Sequence, residues 1–209
     1  MTSKRDFKKE LKTLYNPSAK DFSVVDVPPL NYLMIDGEGN PNTAQSYKDA
    51  VSALFSVAYT LKFAIRRSQG VDYGVMPLEG LWWAEDMTDF ITRNKADWKW
   101  TMMIMQPELV TEADVHAALD DVRQKKDKGD NPALPLLRFE CYHEGLSVQI
   151  MHKGSFDDEG PTLARLHQEY LPVHGYTETG KHHEIYLTDI TKAAPENWKT
   201  ILRQPVRKV

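Results

Sequence analysis

The apolar positions at the start of the chain, Phe7, Leu11 and Leu14, recur at helical spacing among lysines. They predict a short amphipathic arm over residues 1–20, stopped at Asn16 and Pro17. Phe22 to Val27 reads as a short strand ended by Pro28 and Pro29, and Leu30 to Gly39 as a strand running into a turn at Gly37 and Gly39. From Ala44 to Ser68 the residues Tyr47, Val51, Leu54, Ala58, Leu61 and Ile65 form one helical stripe. Phe55, Tyr59 and Phe63 widen that stripe, which predicts burial over much of the helix circumference.

Extended segments follow at Tyr73 to Met76 and Leu78 to Glu85, then a short helix from Asp86 to Arg93 and a strand from Trp98 to Gln106. Thr111 with Asp114, ahead of Val115, Ala118, Leu119 and Val122, has the form of a capped amphipathic helix. LLRFECYHEG reads as a strand with Arg138, Glu140, Tyr142 and Glu144 on one face and Phe139 and Cys141 on the other. Gly145 turns it into a strand from Leu146 to Lys153, and a helix begins at Pro161 and stops near Pro172 and Gly175. In KHHEIYLTD the alternation puts His182, Glu184 and Tyr186 on one face and His183, Ile185 and Leu187 on the other. Trp198 to Arg203 forms a last strand, closed by Pro205.

The order strand with a glycine turn, helix, strand, strand occurs twice, over approximate repeats 30–106 and 146–203. In this register Trp82 stands opposite Tyr186 and Gly80 opposite Glu184, with the Thr111 helix and the Phe139 strand as the connection. The chain is read as a single domain, 1–209. Its fold class is α+β: two pseudo-twofold-related strand-helix-strand-strand modules with antiparallel sheets forming a ligand groove.

Composition narrows the function. With 209 residues the chain is long enough to bury a core without a staple, and its single cysteine, Cys141, excludes an internal disulfide. Cys141 shares the Phe139 face and reads as a small core residue. The first residues are charged and no run reaches 18 apolar residues, so a cytoplasmic protein is expected. The Lys-rich arm lacks the apolar bulk of an interfacial helix. A net charge of -4 argues against nucleic acid as a partner. Five Trp, nine Tyr, seven Phe and eight Met suit either a core or a pocket for a flat apolar ligand.

The chemistry-bearing residues are few. GEGNPN has neither the dinucleotide-binding spacing nor a Walker lysine, so no cofactor is expected. The histidines are scattered, and adjacent His182 and His183 point to opposite faces, so no metal is expected. No G-x-S-x-G elbow is present. What remains is a carboxylate and a phenol, Glu184 and Tyr186, on one face of a strand in an aromatic-rich chain; an edge strand with a merely solvated Glu184 is the plainer alternative. Glu140, sharing a face with Tyr142, is the rival carboxylate.

YLMIDGEGNPN, SYKDAVSALFSVAYTLKF, PLEGLWWAED, FECYHEG and HHEIYLTD, in this order, resemble the GyrI-like small-molecule-binding domain family over nearly the whole chain. HHEIYLTD resembles the strand holding the family's central acidic residue. The first segments resemble the stand-alone bacterial branch, members of which hydrolyse cyclopropanoid alkylating natural products. The resemblance implies that Glu184 is the base for water and Tyr142 the donor to a developing phenolate or the partner of Glu184. Trp82, Trp83, Trp100, Met102, Glu140, Tyr186, Phe55 and Tyr59 would contact the ligand, and the absence of a side chain at Gly80 would leave room for it. A non-catalytic sequestering or sensing protein, or a modulator of a protein partner, are the alternative functions.

Overall fold

The computed structural model describes residues 3–84, 95–125 and 127–209, so the helix expected from Asp86 to Arg93 lies outside the described residues. In chain order the elements begin with β1 (Ser3–Arg5), α1 (Phe7–Glu10), α2 (Lys12–Tyr15), β2 (Ser23–Val27) and β3 (Leu30–Glu38). The long helix α3 (Gln45–Gln69), β4 (Val71–Tyr73), β5 (Leu78–Trp83), β6 (Lys99–Gln106), α4 (Glu112–Arg123) and β7 (Arg138–Tyr142) follow. The remainder comprises β8 (Gly145–Lys153), α5 (Gly160–Ala164), a π-helical turn (Arg165–Tyr170), α6 (Leu171–Val173), β9 (Tyr176–Glu178), β10 (His182–Tyr186) and β11 (Lys199–Lys208). The fold is α+β, and the chain divides into two compact units: Met1–Glu10 with Leu30–Tyr142, and Leu11–Pro29 with His143–Val209.

In the first unit the antiparallel strand order is β5-β6-β3-β7. In the second it is β10-β11-β8-β2, with β9 added to β11. The two ladders share a register. Gly80 pairs with Met102 and Met102 with Ile35, as Glu184 pairs with Leu202 and Leu202 with Ile150. The turns agree as well: Gly39 N donates to Trp98 O at 2.8 Å, and Gly154 N to Trp198 O at 3.1 Å.

Each sheet takes one strand from the segment that precedes the other sheet's first strand. β2 precedes β3 across Pro28 and Pro29 yet pairs with β8, while β7 precedes β8 yet pairs with β3. The Phe139 strand is therefore built into the first sheet and is more than a connection. The amino-terminal arm is also divided. β1 adds a parallel pairing to β4, Phe7 is buried edge-on against Tyr73, and α2 belongs to the second unit with Leu14 and Tyr15 buried.

α3 buries Ala50, Ala53, Leu54, Val57, Ala58, Leu61 and Ile65 and ends at Gly70 in the left-handed conformation. α4 packs on it, and Lys125 donates to Thr60 Oγ1 at 2.9 Å. The expected widening of the stripe through aromatics is corrected, because Tyr59 and Phe63 are half exposed and the small residues Ala50, Ala53 and Val57 widen it instead. Thr111 caps α4 with the full reciprocal box, its Oγ1 accepting from Asp114 N at 3.2 Å and its own N donating to Asp114 Oδ2 at 2.9 Å.

Pro205 does not close the last strand, which continues to Lys208. Pairing with β8 ends at Pro205 opposite Ser147, β9 takes over from Val206, and the Pro205 carbonyl accepts from Thr179 N at 2.8 Å. The missing N–H thus falls where one ladder gives way to another. No described helix is long and apolar enough to cross a membrane.

Candidate functional site

Glu184 sits in the middle of β10 in the second unit, half-buried. Strand alternation puts its carboxylate on the face that carries Tyr186 and His182. The Tyr186 hydroxyl donates to Glu184 Oε2 at 2.8 Å, and His182 Nε2 lies 3.6 Å from Oε1. The three side chains therefore converge, with only 12% of His182 and 16% of the Glu184 side chain exposed. Phe156 meets the Tyr186 ring edge-on at 5.6 Å and packs against Trp198 at 5.0 Å. Trp198 is fixed by its Nε1 donating to Ala193 O at 2.8 Å. A carboxylate with its plane held by a phenol, next to aromatic rings, can orient a water and accept its proton.

On the other face of β10, His183 is buried with the apolar set, but its role is polar. His183 Nδ1 lies 2.9 Å from Glu144 Oε1, and Arg203 Nη1 donates to Glu144 Oε2 at 3.1 Å. Arg203 also donates to Gln149 Oε1 at 2.9 Å and to the Leu14 carbonyl at 2.7 Å, while Gln149 donates to the Thr13 carbonyl at 2.7 Å. Burial alone would push the Glu144 carboxyl up, but His183 and Arg203 outweigh it and bring the pKa down to about 2. This cluster ties α2 to the sheet and clamps β10 from behind. The alternation pattern revealed which way His183 points, but its partners come from a turn and another strand, which no local pattern reveals.

The first unit answers the same register with aromatic packing. Trp82 and Trp100 are opposite each other and buried, and Tyr47 of α3 stacks on Trp82 at 6.3 Å and meets Trp100 edge-on at 5.3 Å. Trp98 packs edge-on against Trp82 at 5.8 Å. The indole of Trp100 lies across Gly37, where a Cβ would come 2.1 Å from its ring. The space at Gly80 is likewise filled, since a Cβ there would stand 2.7 Å from Trp82 Nε1 and 3.2 Å from the Met102 sulfur. This corrects the expected vacancy beside Gly80, which is taken up by the protein's own Trp82.

The other candidate residues are dispersed. Met102 is fully buried, Trp83 is half-buried at the end of β5, and Phe55 packs against Tyr59 on α3 at 6.3 Å. Tyr142 lies on β7 in the first unit, edge-on to Tyr32 at 6.4 Å. The phenol hydrogen-bonded to Glu184 is Tyr186. Glu140 is exposed and accepts from Arg138 Nε at 2.8 Å, and Arg138 also binds Asp36 at 2.9 Å. A carboxylate held by a guanidinium is a weaker competitor for a water proton. Cys141 is exposed, contrary to the expectation of a small core residue. Phe156 and Trp198 were not anticipated, although the match of Trp198 to Trp98 across the repeat was a usable signal. Among the described residues no group of three or more His, Cys, Asp or Glu side chains is placed to hold a metal ion.

The GyrI-like small molecule binding domain matches the sequence over residues 20–207. The chain belongs to this family. No curated protein matches it. Among solved structures, an uncharacterized conserved protein from Listeria innocua is 40% identical with a TM-score of 0.87, covering 97% of this chain and 99% of that one. A hydrolase from Listeria innocua is 38% identical with a TM-score of 0.82, again covering 97% and 99%. A second hydrolase structure from the same organism is 38% identical with a TM-score of 0.84, covering 98% of this chain and 100% of that one. The similarity to these proteins extends from end to end of the chain. A GyrI-like domain binds small molecules.

Proposed function

We propose that this GyrI-like protein binds planar hydrophobic xenobiotics against its aromatic side chains in the cytoplasm and hydrolyses electrophilic cyclopropanoid genotoxins. The observation that carries the reading is the Tyr186–Glu184 hydrogen bond at 2.8 Å on a half-buried, ring-flanked strand face. The full-length likeness to hydrolases supports it.

In the reaction, the water oxygen bonds to a cyclopropane carbon and the strained carbon–carbon bond breaks. Its electron pair flows into the conjugated dienone, which becomes a phenolate. Glu184 takes the water proton, the Tyr186 hydroxyl gives its proton to the phenolate oxygen, and Glu184 returns a proton to Tyr186 along their hydrogen bond. Aromatisation drives the step, so a positioned base and a wall of rings suffice. Stacking contributes about 0.5–1.5 kcal/mol per aromatic pair beyond area burial.

The test is stoichiometry. With a cyclopropanoid probe in excess, ring-opened product is expected to accumulate over many equivalents of protein. Release of unchanged probe at one equivalent would leave a sequestering protein and remove the enzyme reading.

A further inference from the structure

The outer face of α3 has no part in the reaction above. Phe55, Tyr59 and Phe63 recur at every fourth residue and so form one ridge along the helix, turned away from the buried Leu54, Leu61 and Ile65. Tyr59 is 50% and Phe63 47% exposed, and Phe55 packs on Tyr59 at 6.3 Å. Single exposed apolar residues are ordinary, but a contiguous row of rings marks a contact surface. Lys62 flanks the row, its Nζ 5.7 Å from the centre of the Phe63 ring and 3.5 Å from Asp72.

The ridge is a palindrome. Phe-x-x-x-Tyr-x-x-x-Phe reads the same in both directions, so a two-fold axis at Tyr59 lays Tyr59 on its own copy and Phe55 of each chain on Phe63 of the other. The charges beside the ridge have the matching order. Asp49 near the amino end and Arg67 near the carboxyl end are about five helical turns apart and therefore lie on one flank. An antiparallel pair sets Asp49 of each copy beside Arg67 of the other and opposes the helix macrodipoles. Lys48 then falls opposite Gly70, beyond the last helical residue. A parallel pair would instead set Arg66 and Arg67 against their own copies. Aromatic side chains bury about 150–250 Å² each, so the half-exposed Tyr59 and Phe63 of two copies offer on the order of 400 Å². That is a patch of functional size, yet it is below the about 1,200 Å² of a stable complex, so the pair is weak and concentration-dependent.

We propose that the outer face of α3 is the contact surface for a second copy of this chain, joined as an antiparallel helix pair about Tyr59. Sedimentation equilibrium of the full-length protein from about 10 µM to about 1 mM, the range of a weak pair, tests it. The average mass is expected to rise from monomer towards dimer with concentration. Tyr59→Lys and Phe63→Lys should each weaken the dimer by about tenfold or more, with melting temperatures in dilute solution unchanged because both side chains are half exposed. Asp49→Lys and Arg67→Glu should each weaken it by about fivefold, and the two together should restore it, since the exchanged charges meet again only across the antiparallel pair. A monomer at every concentration leaves the ridge to a different partner and overturns the inference. A dimer unmoved by Tyr59→Lys lies elsewhere on the molecule and overturns it too, and a charge exchange that fails to restore the dimer overturns the antiparallel arrangement.

Discussion

The two units share a ladder register and fill it with opposite chemistry. Where the first places Gly80 and Trp82 on β5, the second places Glu184 and Tyr186 on β10; where the first sets Gly37 against Trp100, the second sets His152 against Thr200. In the first, two glycines let indoles lie flat on the backbone, and the rings of Tyr47 and Trp98 close over them. In the second, short or polar residues leave the strand face to ionisable groups. A repeated scaffold thus separates apolar packing from a cluster of ionisable side chains without changing its strand order. The difference between the halves lies in a few side chains.

The comparison can be broken most forcibly on the polar side. Glu144→Ala would leave Arg203 buried and without its carboxylate, and a loss of about 3–5 kcal/mol in unfolding free energy is expected by denaturant titration. The same cluster predicts an acid response. The folded Glu144 pKa of about 2 lies below the ordinary 4.5, so its stabilisation is complete above pH 4.5 and is lost as pH falls from there towards 2. Stability that stays flat across that range would show that the cluster does not clamp β10.

A smaller effect is expected on the aromatic side. Gly37→Ala puts a Cβ 2.1 Å from the Trp100 ring, and overpacking of this kind costs about 1–3 kcal/mol. Gly80→Ala, at 2.7 Å from Trp82 Nε1, should cost less than Gly37→Ala. Melting temperatures of the pair check the order, and a reversed order would mean that the Trp100 indole can move aside more easily than Trp82. The smallest effect belongs to the cap shared by neither sheet: Thr111→Ala should cost about 1 kcal/mol by removing the α4 box.

Local patterns carried most of the fold. The Thr111–Asp114 box, the α3 stripe and the alternation in KHHEIYLTD each depend on residues within a few positions of one another, and each is present in the structure. What the sequence did not show is non-local. The exchange of β2 and β7 depends on which sheet accepts an edge, and Pro28 and Pro29 announce a break without naming a partner. Tyr59 and Phe63 lie on the apolar side of the sequence pattern, yet the packing of the helix leaves both half exposed. In the site, Glu184 and Tyr186 were legible because they are two apart on one strand. The packing of Phe156 on Tyr186 and Trp198 was not, since the three residues lie far apart along the chain.

The central claim is that the second unit's Glu184, and not Glu140, does the chemistry. Single-turnover ring opening of a cyclopropanoid probe by Glu184→Gln and Glu140→Gln, with equilibrium binding followed by tryptophan fluorescence, tests it most directly. Glu184→Gln should bind the probe with roughly wild-type affinity and open it ~100-fold more slowly or worse, while Glu140→Gln, which loses only an exposed pair with Arg138, should keep most of the rate. Near-normal turnover in Glu184→Gln together with its loss in Glu140→Gln would contradict the account.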